Sequence, residues 1–258
     1  MADFSWRDYM AFASQTVYEA GRLTLGYFQT GIRPEFKEDD SPVTIADREA
    51  EALIRQRLEA RFPTHEIFGE EFANKTASGA SHRWYIDPID GTKSFVRGVP
   101  IYATVLGLEV EGRIVAGAVY FPGTDELLAA AEGEGCWWNG RHARVSAETD
   151  FSRAVIAHID TASFDRLGKG AAWERLQKAS YYNAGWCDAY GYMLVATGRV
   201  ELAIDPIINP YDIAPFAVIL REAGGYLGDW AGNETIHNGE CLATSRALLP
   251  TVLGLING

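Results

Sequence analysis

Cysteine is scarce in this sequence. The 258 residues include three cysteines, Cys136, Cys187 and Cys241, which lie far apart and form no C-x-x-C pair. This odd number and wide spacing disfavour both a disulfide framework and a thiolate zinc site, so we expect buried free thiols. None of the five histidines has the spacing of a zinc motif such as H-E-x-x-H, which disfavours a zinc mechanism.

Long apolar runs are also missing. No run approaches the ~20 residues that a membrane-spanning helix needs. The first residues do not follow the basic, then apolar, then small-residue order of a signal peptide. We therefore expect a cytoplasmic protein that has no membrane partner.

The sequence has fewer basic than acidic residues. The chain has 23 Lys and Arg against 35 Asp and Glu, and its formal net charge is −12. We expect no nucleic-acid partner, because there is no excess of cationic side chains to displace counterions from a polyanion. An acidic protein can bind a small phosphate ester only where metal ions or a helix N-terminus reverse the local field.

Apolar residues are plentiful, at 47% of the chain, which is ample for a large core. Their spacing predicts helices at 4–28, 44–62, 171–179, 188–197, 212–223 and 247–255, and strands at 66–71, 101–110, 114–121, 125–132, 154–159, 200–204, 226–228 and 242–244. A composition shift near 147–150 predicts two halves. Residues 1–147 would form an α+β half with the metal-binding motifs, and residues 148–258 an α/β half that completes the active site.

One stretch, residues 84–95, holds most of the chemistry. Its apolar start predicts a strand, which we expect to stop at Pro88 between two carboxylates, Asp87 and Asp90. Asp90 is then expected to cap a helix that opens at Gly91 and Thr92 and leaves free backbone N–H groups facing an anion. Carboxylates for cations beside backbone donors for an anion are typical of sites that hold a phosphate through bridging metal ions.

Other acids follow the same pattern. Glu70 and Glu71 end a short predicted strand, which suggests that two strands deliver carboxylates to one shared site. Asp47 lies in the first turn of a helix that opens at Thr44, where the helix dipole favours a carboxylate in any case. Taken singly, each of these acids is weak support for a site.

In combination, these motifs resemble a known family. Gly69-Glu70-Glu71, then Asp87-Pro88-Ile89-Asp90-Gly91-Thr92, then Asn209-Pro210-Tyr211-Asp212, with Thr44-x-x-Asp47 upstream, are similar in order and spacing to the inositol monophosphatase family. Its members are magnesium-dependent, lithium-sensitive phosphatases. The resemblance covers nearly the whole chain, and it implies an α/β fold built as a layered αβαβα sandwich and a homodimer.

The resemblance also implies roles for individual residues. The implied Mg²⁺ ligands are Glu70, Asp87, Asp90, Asp212 and the carbonyl of Ile89. Such hard oxygen ligands are those that Mg²⁺ prefers. Thr92 with Asp47 would orient the attacking water and receive its proton, with Glu70 nearby, and the backbone N–H groups of Gly91 and Thr92 would bind the phosphate.

Two further charged residues, Glu71 and Lys37, lie near these motifs. Glu71 follows a ligand by one residue, and on a strand it would point to the opposite face, so we expect it to act from behind the ligands. Lys37 lies in a loop that corresponds to one where the family carries a basic residue. A solvated loop lysine is an equal alternative.

Within the family, the segment before the last metal ligand selects the substrate. Inositol-specific members have small residues where this chain has Trp186-Cys187-Asp188, and the pattern here is similar to the histidinol-phosphatase branch. L-histidinol phosphate carries an ammonium group and an imidazole, with which Asp188 and Asp205 could pair. The resemblance thus implies a Mg²⁺-dependent phosphomonoesterase that acts on this ester in histidine biosynthesis.

Alternatives remain open at this point. The alternative for Asp188 is a helix N-cap, for Trp186 and Tyr190 it is a place in the core, and for Asp205 it is contact with sugar hydroxyls, as in inositol-specific relatives. The corresponding functions are an inositol-1-monophosphatase or a broad sugar-phosphate phosphatase. A non-catalytic metal-binding protein is a third reading, against which the water-activating pair of Asp47 and Thr92 speaks.

Overall fold

The computed structural model describes residues 4–38, 40–186 and 188–258, so Cys187 lies outside the described residues. Cys136 and Cys241 are buried free thiols, as predicted. The helices are α1 Trp6–Leu25, α2 Ile45–Arg61, α3 Thr92–Val96, α4 Thr161–Arg166, α5 Gly170–Ala179, α6 Ala189–Ala196, α7 Pro210–Glu222 and α8 Leu249–Asn257, with a 3₁₀ turn at Phe151–Arg153. Over the described part of the chain, none of these helices is both long and apolar enough to cross a membrane.

The strands form two large sheets and one small hairpin. They are β1 Glu35–Phe36, β2 Pro42–Val43, β3 Glu66–Gly69, β4 His82–Asp90, β5 Ala103–Val110, β6 Arg113–Phe121, β7 Glu126–Ala131, β8 Gly135–Trp138, β9 Arg141–His142, β10 Val155–His158, β11 Tyr182–Ala184, β12 Leu202–Asp205, β13 Gly225–Gly228 and β14 Cys241–Ser245. The sequence pattern did not predict the short elements β1, β2, β8, β9, β11 and α4.

The first sheet has seven strands in the order β3-β4-β5-β6-β7-β8-β9. β3 and β4 are parallel and the other neighbours are antiparallel. The predicted hairpin between β5 and β6 is confirmed. Its two turn residues, Glu111 and Gly112, have φ values of 52° and 80°, which matches the turn that two-residue hairpins prefer.

The second sheet has five strands in the order β11-β10-β12-β14-β13. β10 runs parallel to both β11 and β12, and β14 runs antiparallel to its two neighbours. The carboxyl ends of β10, β11 and β12 therefore meet at one edge, where parallel sheets commonly bind ligands.

Helices cover both faces of both sheets. α1 and α2 pack on the outer face of the first sheet over Trp84, Leu106 and Tyr120. α6 and α7 lie between the two sheets, and their apolar side chains form one core with residues of both. α4, α5 and α8 close the outer face of the second sheet. This confirms the predicted αβαβα sandwich.

The first turns of α7 pack closely against the first sheet. Gly107 on β5 and Gly117 on β6 face Pro215, and a Cβ at Gly107 would lie 2.8 Å from the Pro215 nitrogen. Only glycine leaves room for this approach. α7 itself begins at Pro210 rather than 212, and proline is well suited to the first turn of a helix.

The predicted division of the chain falls between the two large sheets. The first sheet ends at His142 and the second begins at Val155. One core cluster includes Val105 and Val119 from the first part and Phe216 and Ala243 from the second. The boundary at 147 and 148 stays a prediction, because this shared core joins the two parts.

Candidate active site

The strand β4 carries two of the predicted ligands past a proline. The expectation that the strand stops at Pro88 is wrong: pairing with β5 continues to Asp90, with a register shift between Asp87 and Asp90. The shift is a bulge that tolerates the missing N–H of Pro88, whose carbonyl accepts a hydrogen bond from Thr104 Oγ1 at 2.9 Å. In a regular strand, residues three apart point to opposite faces, so the bulge lets both carboxylates reach one site.

Three acidic side chains meet at this point. Asp87, Asp90 and Asp212 each offer a carboxylate oxygen, and these oxygens all lie within 4.8 Å of one another. Asp87 and Asp90 are 2% and 7% exposed. Asp212 comes from the first turn of α7, where its Oδ2 accepts a hydrogen bond from the Asn209 backbone N–H at 2.8 Å. A strand end and a helix start, more than a hundred residues apart in the chain, thus build one cluster.

Burial and mutual repulsion both disfavour negative charge on the carboxylates of this cluster. Burial raises the pKa of Asp87 well above its usual range, and the charges of Glu70 and Asp90 raise it further. Burial likewise raises the pKa of Asp90, with added repulsion from Asp188 and Asp212. Burial also raises the pKa of Asp212. Clustered hard carboxylate oxygens fit a divalent cation of the Mg²⁺, Ca²⁺ or Mn²⁺ type, which would compensate their charge.

Glu70 stands beside these three carboxylates and is bound by a lysine. Lys37 Nζ lies 2.7 Å from Glu70 Oε1 and 2.7 Å from Glu71 Oε1, so it is not the solvated loop lysine of the alternative interpretation. Burial lowers the pKa of Lys37, but the two glutamates raise it more, which keeps the ammonium charged. Glu70 still lies close enough to Asp87 for its charge to raise the pKa of that residue.

The expectation that Glu71 points away from Glu70 is wrong. β3 ends at Gly69, so the alternation of a strand does not extend to residues 70 and 71, and both carboxylates bind the same ammonium. The Glu71 side chain is only 4% exposed, and burial raises its pKa to about 7.

Glu51 supports Glu71 from behind, and the sequence reasoning missed it. The Glu71 backbone N–H donates to Glu51 Oε2 at 2.7 Å, and Arg55 binds the other oxygen of Glu51. Glu51 is fully buried. Its burial could have been predicted from the sequence, because Glu51 lies four residues after Asp47, on the same face of α2 as the buried Ile54 and Leu58.

Asp47 is both a helix cap and a partner of Thr92. Its Oδ2 accepts hydrogen bonds from the Thr44 backbone N–H at 2.7 Å and from Thr44 Oγ1 at 2.6 Å. Its Oδ1 lies 3.3 Å from Thr92 Oγ1, which also lies 2.9 Å from the Ile89 carbonyl oxygen. Burial raises the pKa of Asp47, and the hydrogen bonds from Thr44 partly offset this effect. The interpretation of Asp47 as an acid at a helix start is therefore confirmed, and its catalytic role with Thr92 stays a prediction.

Gly91, not Asp90, occupies the N-cap position of α3. Gly91 has φ 82° in the left-handed region, and no side chain caps this helix. The expectation that Asp90 is the cap is therefore wrong. The Asp90 carboxylate instead accepts a hydrogen bond from the Ala189 backbone N–H, at the start of α6. Because α6 starts here, the segment predicted to choose the substrate lies directly against the acidic cluster.

Asp188 sits at the N-cap position of α6, but its side chain makes no capping hydrogen bond. A Cβ built on Gly91 would lie 3.2 Å from Asp188 Oδ2, so the carboxylate packs against the Gly91 turn. Its backbone has φ 63° and ψ −161°, a region that costs a non-glycine residue about 1–3 kcal/mol. Burial raises the pKa of Asp188 and Lys93 partly offsets this. The capping interpretation is therefore wrong for its side chain.

The other predicted specificity residues lie at different depths. Asp205 ends β12 and is fully buried, where it accepts a hydrogen bond from the Tyr192 hydroxyl. Tyr190 packs against the core, with its ring centroid 5.6 Å from that of Phe121. Trp186 is 41% exposed and lies beside Tyr182, so it is a surface residue and not a core one. The substrate roles of Asp188 and Asp205 stay predictions.

Comparison with known proteins connects this geometry to a family. A family model described as the inositol monophosphatase family matches residues 5–257. A histidinol-phosphatase of Chlorobaculum parvum is 42% identical over 90% of this chain and 90% of its own length. An inositol-1-monophosphatase of Rhizobium meliloti is 32% identical over 84% of each chain.

A solved structure has the same fold. The extragenic suppressor protein suhB of Bartonella henselae superposes with a TM-score of 0.90 at 27% sequence identity, over 96% of this chain and 98% of that one. The similarity therefore extends over both large sheets and the helices between them.

Proposed function

Because the chain belongs to the inositol monophosphatase family and is therefore a phosphatase, we propose that it is a Mg²⁺-dependent phosphomonoesterase that hydrolyses L-histidinol phosphate. The products would be L-histidinol and phosphate, in histidine biosynthesis. We propose a metal-dependent reaction because the carboxylate oxygens of Asp87, Asp90 and Asp212 lie within 4.8 Å of one another.

Three of the proposed ligands form this cluster, and the resemblance to the family adds Glu70 and the Ile89 carbonyl. Asp87, Asp90, Asp212, Glu70 and the Ile89 carbonyl would hold Mg²⁺, which when bound stabilises the charge that develops on the phosphoryl and leaving oxygens. Glu70 is paired with Lys37. Its role as a ligand therefore requires that it share or leave this ion pair.

Thr92 and Asp47 are the proposed pair that handles the water. The Thr92 hydroxyl has one proton, and when it donates this proton to Asp47 its lone pairs are free to accept a hydrogen bond from the attacking water. Asp47 would then receive the proton, with Glu70 nearby. Burial raises the pKa of Asp47, which makes its carboxylate a better base than an ordinary aspartate. The backbone N–H groups of Gly91 and Thr92 would bind the phosphate.

The choice of histidinol phosphate rests on Asp188 and on the relatives. A half-buried carboxylate beside the phosphate-binding turn would pair well with the ammonium group of this ester, whereas a neutral polyol gains little from it. The exposed rings of Trp186 and Tyr182 lie on the same segment and offer faces for an imidazole. The relative named histidinol-phosphatase is 42% identical, and the one named inositol-1-monophosphatase is 32% identical.

A panel of esters tests this proposal. Phosphate release would be measured from histidinol phosphate, inositol 1-phosphate, fructose 1,6-bisphosphate and adenosine 3′,5′-bisphosphate, each with Mg²⁺ and with EDTA. We expect release from histidinol phosphate to exceed the others and to require Mg²⁺. Equal turnover of inositol 1-phosphate would favour the second candidate, an inositol-1-monophosphatase or broad sugar-phosphate phosphatase, which the 32% identical relative supports.

Three further expectations stay predictions. Lithium should inhibit phosphate release. Light scattering after size exclusion should give the mass of a homodimer, twice the 28.4 kDa of one chain. Cell fractionation should place the protein in the cytoplasm.

A further inference from the structure

A second concave surface lies at the far end of α7 from the acidic cluster. Here an open cavity of about 380 Å³ is lined by the β5–β6 turn, the last turns of α7, β13 and the loop 234–237. Arg221 lines it, and at 1.5 Å rise per residue this side chain is rooted roughly 14 Å along the helix axis from Asp212. This cavity is separate from the candidate active site.

The lining of this cavity is positively charged in a protein that is otherwise acidic. Three arginines line it, Arg113, Arg221 and Arg246, against two glutamates, Glu109 and Glu234. Both glutamates have partners already. Glu109 accepts a hydrogen bond from the Tyr85 hydroxyl at 3.0 Å, and Glu234 pairs with Arg246 at 2.8 Å.

Arg221 is the arginine whose charge is least compensated. Its Nη2 donates to the Ile114 carbonyl oxygen at 2.6 Å, and its Nε is buried with no hydrogen-bond acceptor among the described residues. A buried donor without an acceptor costs about 1–3 kcal/mol. Burial and the neighbouring Arg113 lower the pKa of Arg221, and the charges of Glu132, Glu222 and Glu234 only partly offset this effect.

The carboxylates close to Arg221 are bound to other groups. Glu132 pairs with Arg113 at 2.7 Å. Glu222 accepts hydrogen bonds from the backbone N–H groups of Gly133 and Gly135, at 3.1 Å and 3.0 Å. No acid nearby is thus left to serve Arg221 alone, among the residues that the structure describes.

We propose that this cavity is a binding site for a small oxyanion, a phosphate or a carboxylate, held by Arg221 with Arg113 and Arg246 at the rim. The planar fork of an arginine matches the oxygens of both anion types and can bind them with two hydrogen bonds. The β5–β6 turn comes from the first large sheet, and Arg221 and Arg246 come from the second part of the chain. A bound anion therefore bridges the two parts and stabilises the folded protein by mass action.

Thermal unfolding of the full chain tests this site. The probes are sodium phosphate and sodium succinate, each compared with sodium chloride at the same ionic strength. EDTA is present, so that metal ions cannot hold phosphate at the acidic cluster. The wild-type Tm should rise with at least one of the two probes beyond its value in chloride, and the rise should saturate.

Two variants and one control assign the effect to the cavity. Arg221→Lys keeps the charge but removes the fork, and Arg246→Gln changes a half-exposed rim residue, so it tests the site even if the first variant folds poorly. Each should weaken the apparent affinity at least about tenfold, the effect of one lost charge-assisted hydrogen bond. Arg153→Gln, an exposed arginine paired with Glu148 elsewhere, should leave the affinity unchanged.

Two results would overturn the proposal. One is a wild-type Tm that responds to phosphate and succinate no more than to chloride. The other is a response that both Arg221→Lys and Arg246→Gln retain at full size. Neither result bears on phosphate release at Asp87, Asp90 and Asp212, so the proposed function stands or falls separately.

Discussion

The change Asp188→Asn tests how the protein selects its ester. The substitution keeps the size of the side chain and removes its charge beside the Gly91 turn. A hydrogen bond to a charged group contributes about 1.5–3 kcal/mol, which corresponds to roughly a 10- to 150-fold loss in kcat/KM for histidinol phosphate. Inositol 1-phosphate carries no ammonium, so its kcat/KM should fall less than about threefold.

The assay is phosphate release from both esters at saturating Mg²⁺, with Asp150→Asn as a control. Asp150 is an exposed aspartate that caps the 3₁₀ turn, far from the acidic cluster in the chain, and its variant should match the wild type on both esters. A second variant, Asp188→Gly, should raise the Tm because glycine adopts φ 63° and ψ −161° without strain. Equal losses on both esters in Asp188→Asn would show that Asp188 does not recognise the ammonium group and is a general part of the site.

Three further changes have defined outcomes. Asp90→Asn should reduce phosphate release at least about 100-fold, because it removes a metal ligand, and full activity would contradict this role. In EDTA the Tm of this variant should equal or exceed that of the wild type, because a buried carboxylate is lost from a crowded cluster. Lys37→Gln should lower the free energy of unfolding in EDTA by about 1–3 kcal/mol, because Glu70 and Glu71 lose their shared ammonium. Denaturation with urea measures this free energy, and an unchanged value would contradict the prediction. Burial lowers the pKa of His65 to about 4, below the ~6.5 of an unfolded histidine, so the unfolded state takes up the proton first and the free energy of unfolding falls from pH 6.5 towards pH 4. His65→Phe should reduce this fall by about 1–2 kcal/mol after solvent screening. An unchanged dependence of the free energy of unfolding on pH would contradict the assignment to His65.

The resemblance to the family implied the layers of the fold, and the sequence pattern itself singled out the three central carboxylates. Asp87 and Asp90 lie in the last four residues of a strand with an apolar start, and Asp212 lies in the first turn of a helix, so local pattern places each of them near the end of an element. The topology of an αβαβα sandwich then brings these ends together. Asp47 and Thr92 could be predicted for the same reason, because their positions at helix starts follow from local signals.

Contacts that depend on long-range packing could not be predicted. A proline signals an interruption in a strand, but the register shift that carries β4 past Pro88 depends on its pairing with β5. The bond from Ala189 to Asp90 joins residues 99 apart, and no local pattern encodes it. Lys37 lies in a polar loop, and its place between Glu70 and Glu71 depends on where that loop folds back.

A competition experiment between the two esters measures directly whether the protein prefers histidinol phosphate. Histidinol phosphate and inositol 1-phosphate are mixed at equal concentration with the protein and Mg²⁺, and the two alcohol products are quantified, since their initial ratio equals the ratio of the two kcat/KM values. We predict at least about tenfold more histidinol than inositol, and neither product in EDTA. Equal amounts of the two alcohols, or an excess of inositol, would contradict the preference for histidinol phosphate. Undiminished release in EDTA would contradict the requirement for Mg²⁺.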